Sequence, residues 1–176
     1  MKKIFFTYWL LSFGFAFEVN GQDNQWLLQE RLPDWAKQIL SKHEFENTYL
    51  LSEFINPFYL EADFNGDSKM DIAIAIENKS SHKKGFIILH NSTDESFIIG
   101  AGKDFGNGGD DFKWMDIWKV QRNLTIHQLV YKANGDIDYS KPVTLKNAAI
   151  FIAKSESGSS TIYWDGTTYK WAQTSE

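Results

Sequence analysis

The sequence predicts an α+β fold: an antiparallel β-sheet built of hairpins, with one or two short helices at its N-terminal end. Three observations carry this. Residues 24–42 place Trp26, Leu28, Leu32, Trp35, Ile39 and Leu40 at the three-to-four spacing of an amphipathic helix. After Pro57 the pattern changes to short apolar runs of strand length, with polar breaks between them. Asn134-Gly135 and Asp165-Gly166 are dipeptides that adopt the positive φ of tight hairpin turns. Long helices do not alternate with the strands, so a parallel doubly wound sheet is not expected.

Pro33 interrupts the helical stretch and belongs in a first helical turn, so a break is expected near Leu32 and a second helix at about 33–42. Asp34 at its start and Lys42 and His43 at its end suit the helix dipole. Strand candidates follow at 58–60, 72–76, 85–90, 96–100, 124–131, 148–153, 160–164 and 167–171. In the second of these, Ile72, Ile74 and Ile76 share one face and Ala73 and Ala75 the other. Both faces can then be buried, the alanine face beneath something closely packed. Residues 22–176 are expected to form one domain.

The N-terminus has the pattern of a secretory signal peptide at residues 1–21. Lys2 and Lys3 form a basic start, and the 14 residues Ile4–Phe17 carry no charge. That run falls short of the ~20 residues of a membrane-spanning helix. Cleavage after Gly21 would leave Gln22 first and no membrane span. No cysteine occurs in the chain, which excludes disulfides, thiolate metal sites and a lipoprotein anchor. The expected location is therefore secreted or periplasmic. The net charge is −5. An acidic chain is a poor partner for nucleic acid or an anionic membrane surface. Another extracellular or periplasmic protein, or a glycan, is the expected kind of partner.

One segment carries specific chemistry. Residues 63–71 read Asp-Phe-Asn-Gly-Asp-Ser-Lys-Met-Asp, with side-chain oxygens at positions 1, 3, 5 and 9. Calcium takes 6–8 oxygen ligands at flexible angles, and alternate residues of a tight loop can turn inward around one ion. Asp63, Asn65, Asp67 and Asp71 would supply side-chain oxygens, and Lys69 its backbone carbonyl. The loop is not an EF-hand, because Ile74 stands where the bidentate glutamate would be and a strand follows.

Phe64-Asn65-Gly66-Asp67 and Asp71-Ile72-Ala73-Ile74 resemble the calcium loop of FG-GAP repeats, known from integrin α-chain propellers and the related VCBS repeats. The resemblance covers about 20 residues. It implies a hairpin loop with calcium on Asp63, Asn65, Asp67, Lys69 and Asp71. Ser68 stands where that family usually has glycine, often at positive φ. A propeller is not expected, since it needs several repeats. The sole echo, Asn134-Gly135-Asp136-Ile137-Asp138, has Lys132 in the first ligand position. In overall style the chain is also similar to small secreted proteins of Bacteroidota-type bacteria with one such loop and a Tyr-Trp-Asp-Gly ending, here Tyr163–Gly166.

No catalytic constellation accompanies the loop. The glycine- and aspartate-rich segment 100–116 matches neither a phosphate loop nor a dinucleotide fingerprint. It reads as a long connection whose aromatics, Phe112, Trp114 and Trp118, cover the core. His43, His82, His90 and His127 lack metal-ligand spacing and are expected at the surface or in strands. The chain is therefore expected to be an exported domain with structural calcium and a non-enzymatic binding or interaction role. Two alternatives stand beside it. One is a calcium-dependent hydrolase of extracellular polymer using Asp110 and Asp111 beside a tryptophan. The other is an inhibitor or immunity-type protein.

Overall fold

The computed structural model describes residues 22–176, so the expected signal segment at 1–21 lies outside the described residues. The chain runs through α1 (Gln22–Glu30), α2 (Asp34–Lys42), α3 (Phe45–Thr48), β1 (Tyr49–Leu51), β2 (Tyr59–Ala62), β3 (Asp71–Asn78), β4 (Lys84–Leu89) and β5 (Ser96–Gly100). It continues through β6 (Ile117–Gln121), β7 (Thr125–Tyr131), β8 (Ile137–Thr144), β9 (Ala149–Ala153), β10 (Ser159–Trp164) and β11 (Tyr169–Ser175). Every strand pairing is antiparallel. The α+β class with N-terminal helices is as the sequence predicts.

These elements stack as helices, sheet, sheet and hairpin. The first sheet has the order β1-β3-β4-β5, with β2 also paired to β3. β1 and β2 share one edge of β3: Leu51 lies opposite Ile76, and Tyr59 opposite Ile74. The second sheet has the order β11-β10-β9-β6, and β7–β8 form a separate two-stranded ribbon.

The alternation along β3 decides the layering. Ile72, Ile74 and Ile76, with Ile87 and Leu89 of β4, pack against Leu28, Leu32, Ala36, Ile39 and Leu40 of the helical region. Ala73 and Ala75 face the other way, into a core shared with Trp118, Ile150, Ile152, Ile162 and Tyr169 of the second sheet. The small methyl groups of the alanines admit the large rings opposite, so the close packing expected over the alanine face is a sheet-on-sheet interface. The far side of the second sheet is closed by Ile126 and Leu145 over Ala149 and Ala172.

Pro33 with φ −58° and ψ 145° stands just before α2, so its fixed ring sets the chain direction between the two helices. In the glycine-rich segment, Phe112 and Trp118 are buried and Trp114 is half-buried, so these aromatics do cover the core. Among the described residues no helix is long and apolar enough to cross a membrane.

Candidate metal centre

The 63–71 loop joins β2 to β3, with Ala62 and Asp71 paired at its base. Phe64 is fully buried in the inter-sheet core and nails the loop's first turn to the fold. The next residues must reverse tightly. Gly66 takes φ +87° and Ser68 φ +68°. Ser68 therefore occupies the left-handed conformation for which glycine is the usual choice, at a cost of about 1 kcal/mol.

The side chains predicted as ligands organise this backbone. Asp63 accepts hydrogen bonds from the N–H groups of Gly66 at 2.6 Å, Asp67 at 3.2 Å and Ser68 at 2.9 Å. Asn65 Oδ1 accepts from the Asp67 N–H at 3.0 Å, and Asp67 Oδ1 from the Lys69 N–H at 2.8 Å. Asp71 is wholly buried. It accepts from the N–H groups of Phe64 at 2.9 Å, Asn65 at 3.2 Å and Asn91 at 3.2 Å. Its carboxylate thus clasps the start of the loop to the β4–β5 turn.

Charge in the loop is unbalanced. Among the described residues, no ion pair involves Asp63, Asp67 or Asp71. The Ser92 hydroxyl donates to Asp67 and is the main cause holding its carboxyl below the ordinary range. Burial pushes the Asp71 carboxyl up, against the opposing pull of the Asn91 N–H and the nearby His90.

The structure brings all five predicted residues into one loop, but it does not converge the carboxylates on a point. Among the described residues, no three His, Cys, Asp or Glu side chains stand as a metal-holding group. The carboxylates instead face N–H groups of the loop and, for Asp71 and Asp67, the Asn91 N–H and Ser92 hydroxyl of the β4–β5 turn. As chemistry the donor set still fits a hard cation: three carboxylates, one amide oxygen and one carbonyl, all oxygen, with no Lys, Arg or His among the described residues in ion-pair contact with the carboxylates.

Sequence reasoning missed the braces around the loop. Asn91 and Ser92 belong to a turn read only as polar. Asn147 donates to the Phe64 carbonyl at 3.4 Å, and its side chain fills the space a Cβ on Gly66 would need. It also missed the group beneath. His90 is buried at the end of β4, rather than sitting on the surface or within a strand. Its Nε2 lies 2.8 Å from the Tyr169 hydroxyl, and Phe97 and Trp164 enclose its ring. Burial, then the charges of Asp71, Asp63 and Glu95, raise the Tyr169 phenol far above its ordinary value, so it stays protonated. The two partners are 79 residues apart, and no local pattern could join them.

The carboxylates named for the hydrolase reading are held by bases. Asp110 pairs with Lys83, and Asp111 pairs with Lys113 at 3.3 Å while accepting from the Lys84 N–H at 3.0 Å. No protein-family model matches the chain, and no curated protein or solved structure is significantly similar to it.

Proposed function

We propose that this chain is an exported domain that binds calcium structurally in the 63–71 loop and acts by binding a partner rather than by catalysis. One observation carries the calcium reading: three carboxylates stand in a nine-residue loop, and no Lys, Arg or His among the described residues pairs with any of them. Asp63, Asn65, Asp67, the Lys69 carbonyl and Asp71 would hold the ion, whose charge would offset their mutual repulsion. Because Asp63 and Asp71 bracket the connection between two paired strands, calcium there would tie together the edge of the first sheet. Export supplies the ion, since calcium is plentiful outside the cytoplasm, where such modules bind at about 10⁻⁴–10⁻³ M. The ion-paired state of Asp110 and Asp111 favours a binding role over hydrolysis.

Thermal unfolding of the protein in calcium and in chelator tests the site. A ligand at about ten times its Kd stabilises the native state by roughly 1.4 kcal/mol. For a chain of this size that raises the Tm by roughly 3–6 °C. Asp67→Ala is expected to abolish the shift, because it removes one of the three carboxylates; the hydrogen bonds it loses with Asn65, Lys69 and Ser92 lower both midpoints alike. Equal midpoints in calcium and chelator would remove the proposal. Mass spectrometry of the exported protein is expected to find Gln22 at its N-terminus.

A further inference from the structure

The glycine-rich segment has a role beyond connecting β5 to β6. Gly106 and Gly108 pack against Trp171, where a Cβ would strike its side chain or, at Gly108, also Phe112. This leaves a cleft of about 300 Å³ between Trp171 of β11, Trp114 and the turn after β9. That volume is at the lower end of small-ligand sites, with room for one ring-sized group.

Both indoles are half-buried and fixed by their own N–H groups. Trp114 Nε1 donates to the Gly108 carbonyl at 3.1 Å, and Trp171 Nε1 to Gln173 Oε1 at 3.3 Å. The polar groups on the rim differ in kind. The Asn107 amide and Ser157 hydroxyl are exposed and make no side-chain hydrogen bond among the described residues. Lys154 also lines the cleft, with its ammonium 3.2 Å from Asp116 Oδ2, and no carboxylate is part of the lining.

These features select a ligand class by elimination. An anion would find only an ammonium already neutralised by Asp116, and the net charge of −5 opposes polyanions. A quaternary ammonium would find no carboxylate in the lining to pair with. A wholly apolar ligand would bury Asn107 and Ser157 without partners. A neutral sugar ring satisfies all of them. Its C–H face carries slight positive charge and suits the electron-rich face of an indole. Its hydroxyls both donate and accept, as an amide and a serine require.

We propose that the Trp114–Trp171 cleft is a subsite for a neutral pyranose ring of an extracellular glycan. This rests on the binding role proposed above and gives it a chemical class of partner, but it does not depend on calcium in the 63–71 loop.

The test is tryptophan fluorescence of the full-length protein titrated to millimolar cellohexaose, laminarihexaose, xylohexaose, mannohexaose and chitohexaose, with hexagalacturonate as the anionic control. At least one neutral hexasaccharide is expected to change the emission saturably. Trp114→Ala removes a stacking ring and is expected to weaken that binding about tenfold or more. Ser157→Arg, on an exposed turn, is expected to obstruct the cleft and weaken binding comparably, and Asn107→Ala several-fold. The two exposed-site variants decide the matter if Trp114→Ala does not fold by circular dichroism. No saturable change with any neutral hexasaccharide overturns the proposal. So does binding of hexagalacturonate alone, or neutral binding that persists in Ser157→Arg and Asn107→Ala. The calcium-dependent Tm shift is read on the same preparation, so a missing glycan response with that shift intact counts against the cleft and leaves the loop standing.

Discussion

The loops 63–71 and 132–138 contain the same three residues in the same local conformation, yet they stand in different relations to the rest of the molecule. In Asn65-Gly66-Asp67 the aspartate N–H donates to the asparagine Oδ1 at 3.0 Å, and the asparagine amide returns to the aspartate at 3.1 Å. In Asn134-Gly135-Asp136 the corresponding distances are 3.2 and 2.7 Å. The two glycines have φ of +87° and +92°. The Asn-Gly-Asp turn is therefore a self-sufficient local unit and says little about metal binding. The difference lies on either side of it. The first loop has Asp63 gathering three N–H groups and a buried Asp71 closing it. The second has Lys132 and Ser140 in those places, both exposed.

The largest expected effect comes from breaking that closure. Asp71→Ala would leave three inward N–H groups without an acceptor. Hydrogen bonds to a charged group contribute about 1.5–3 kcal/mol each, not fully additively, so a loss of about 3–4 kcal/mol is expected. Calorimetry in chelator would read this as a Tm fall of roughly 10 °C. Asp71→Asn keeps one acceptor oxygen and should fall by about half as much. A fall under a few degrees for Asp71→Ala would mean that the turn alone holds the loop.

The next effect sharpens the comparison through the shared glycine. Gly66→Ala meets both a left-handed φ and the Asn147 side chain, whereas a Cβ on Gly135 would meet nothing within 4 Å. The expected losses are about 2 kcal/mol for Gly66→Ala and about 1 kcal/mol for Gly135→Ala. Denaturant midpoints of the two variants measure the gap, and equal losses would show that Asn147 yields freely.

The smallest effect concerns the third turn of this type, Asp165-Gly166. The N–H groups of Thr168 and then Thr167 hold the Asp165 carboxyl below its ordinary value. Folding therefore favours the ionised form. The stability it contributes is present above the unfolded value of about 3.9 and is lost as pH falls through the lower folded value. The Tm difference between the native chain and Asp165→Ala should narrow as pH is lowered below about 4. A difference that is constant from pH 7 to pH 3 would show that this charge plays no part.

What the sequence disclosed follows the same division between local and distant causes. The helix break at Pro33, the two-faced β3 and the hairpin turns depend on residues within a few positions of one another, and all were legible. β8 was not, because Ile137–Thr144 is exposed almost throughout and contains Pro142, so it shows no alternation of buried and solvated residues. β6 escaped because Trp118 is its one buried side chain, and its pairing with β9 spans a long stretch of chain. In the candidate centre the five oxygen donors were legible from spacing. The contacts that hold them were not, since Asn91, Ser92 and Asn147 reach the loop from two distant turns, and His90 and Tyr169 beneath it are joined from β4 and β11.

The placement of β3 has a consequence for how the molecule opens. This strand is hydrogen-bonded along both edges, to β1 and β2 on one side and β4 on the other, and each of its faces is covered by a different core. Its amide protons can meet solvent only when both cores come apart, so the amides of Ile72–Ile76 should exchange at the rate of global unfolding. Asp71 is the first residue of that strand. An ion held at 63–71 would therefore slow exchange along β3 and through both cores, whereas the ribbon carrying Asn134-Gly135 would exchange at one rate with or without it.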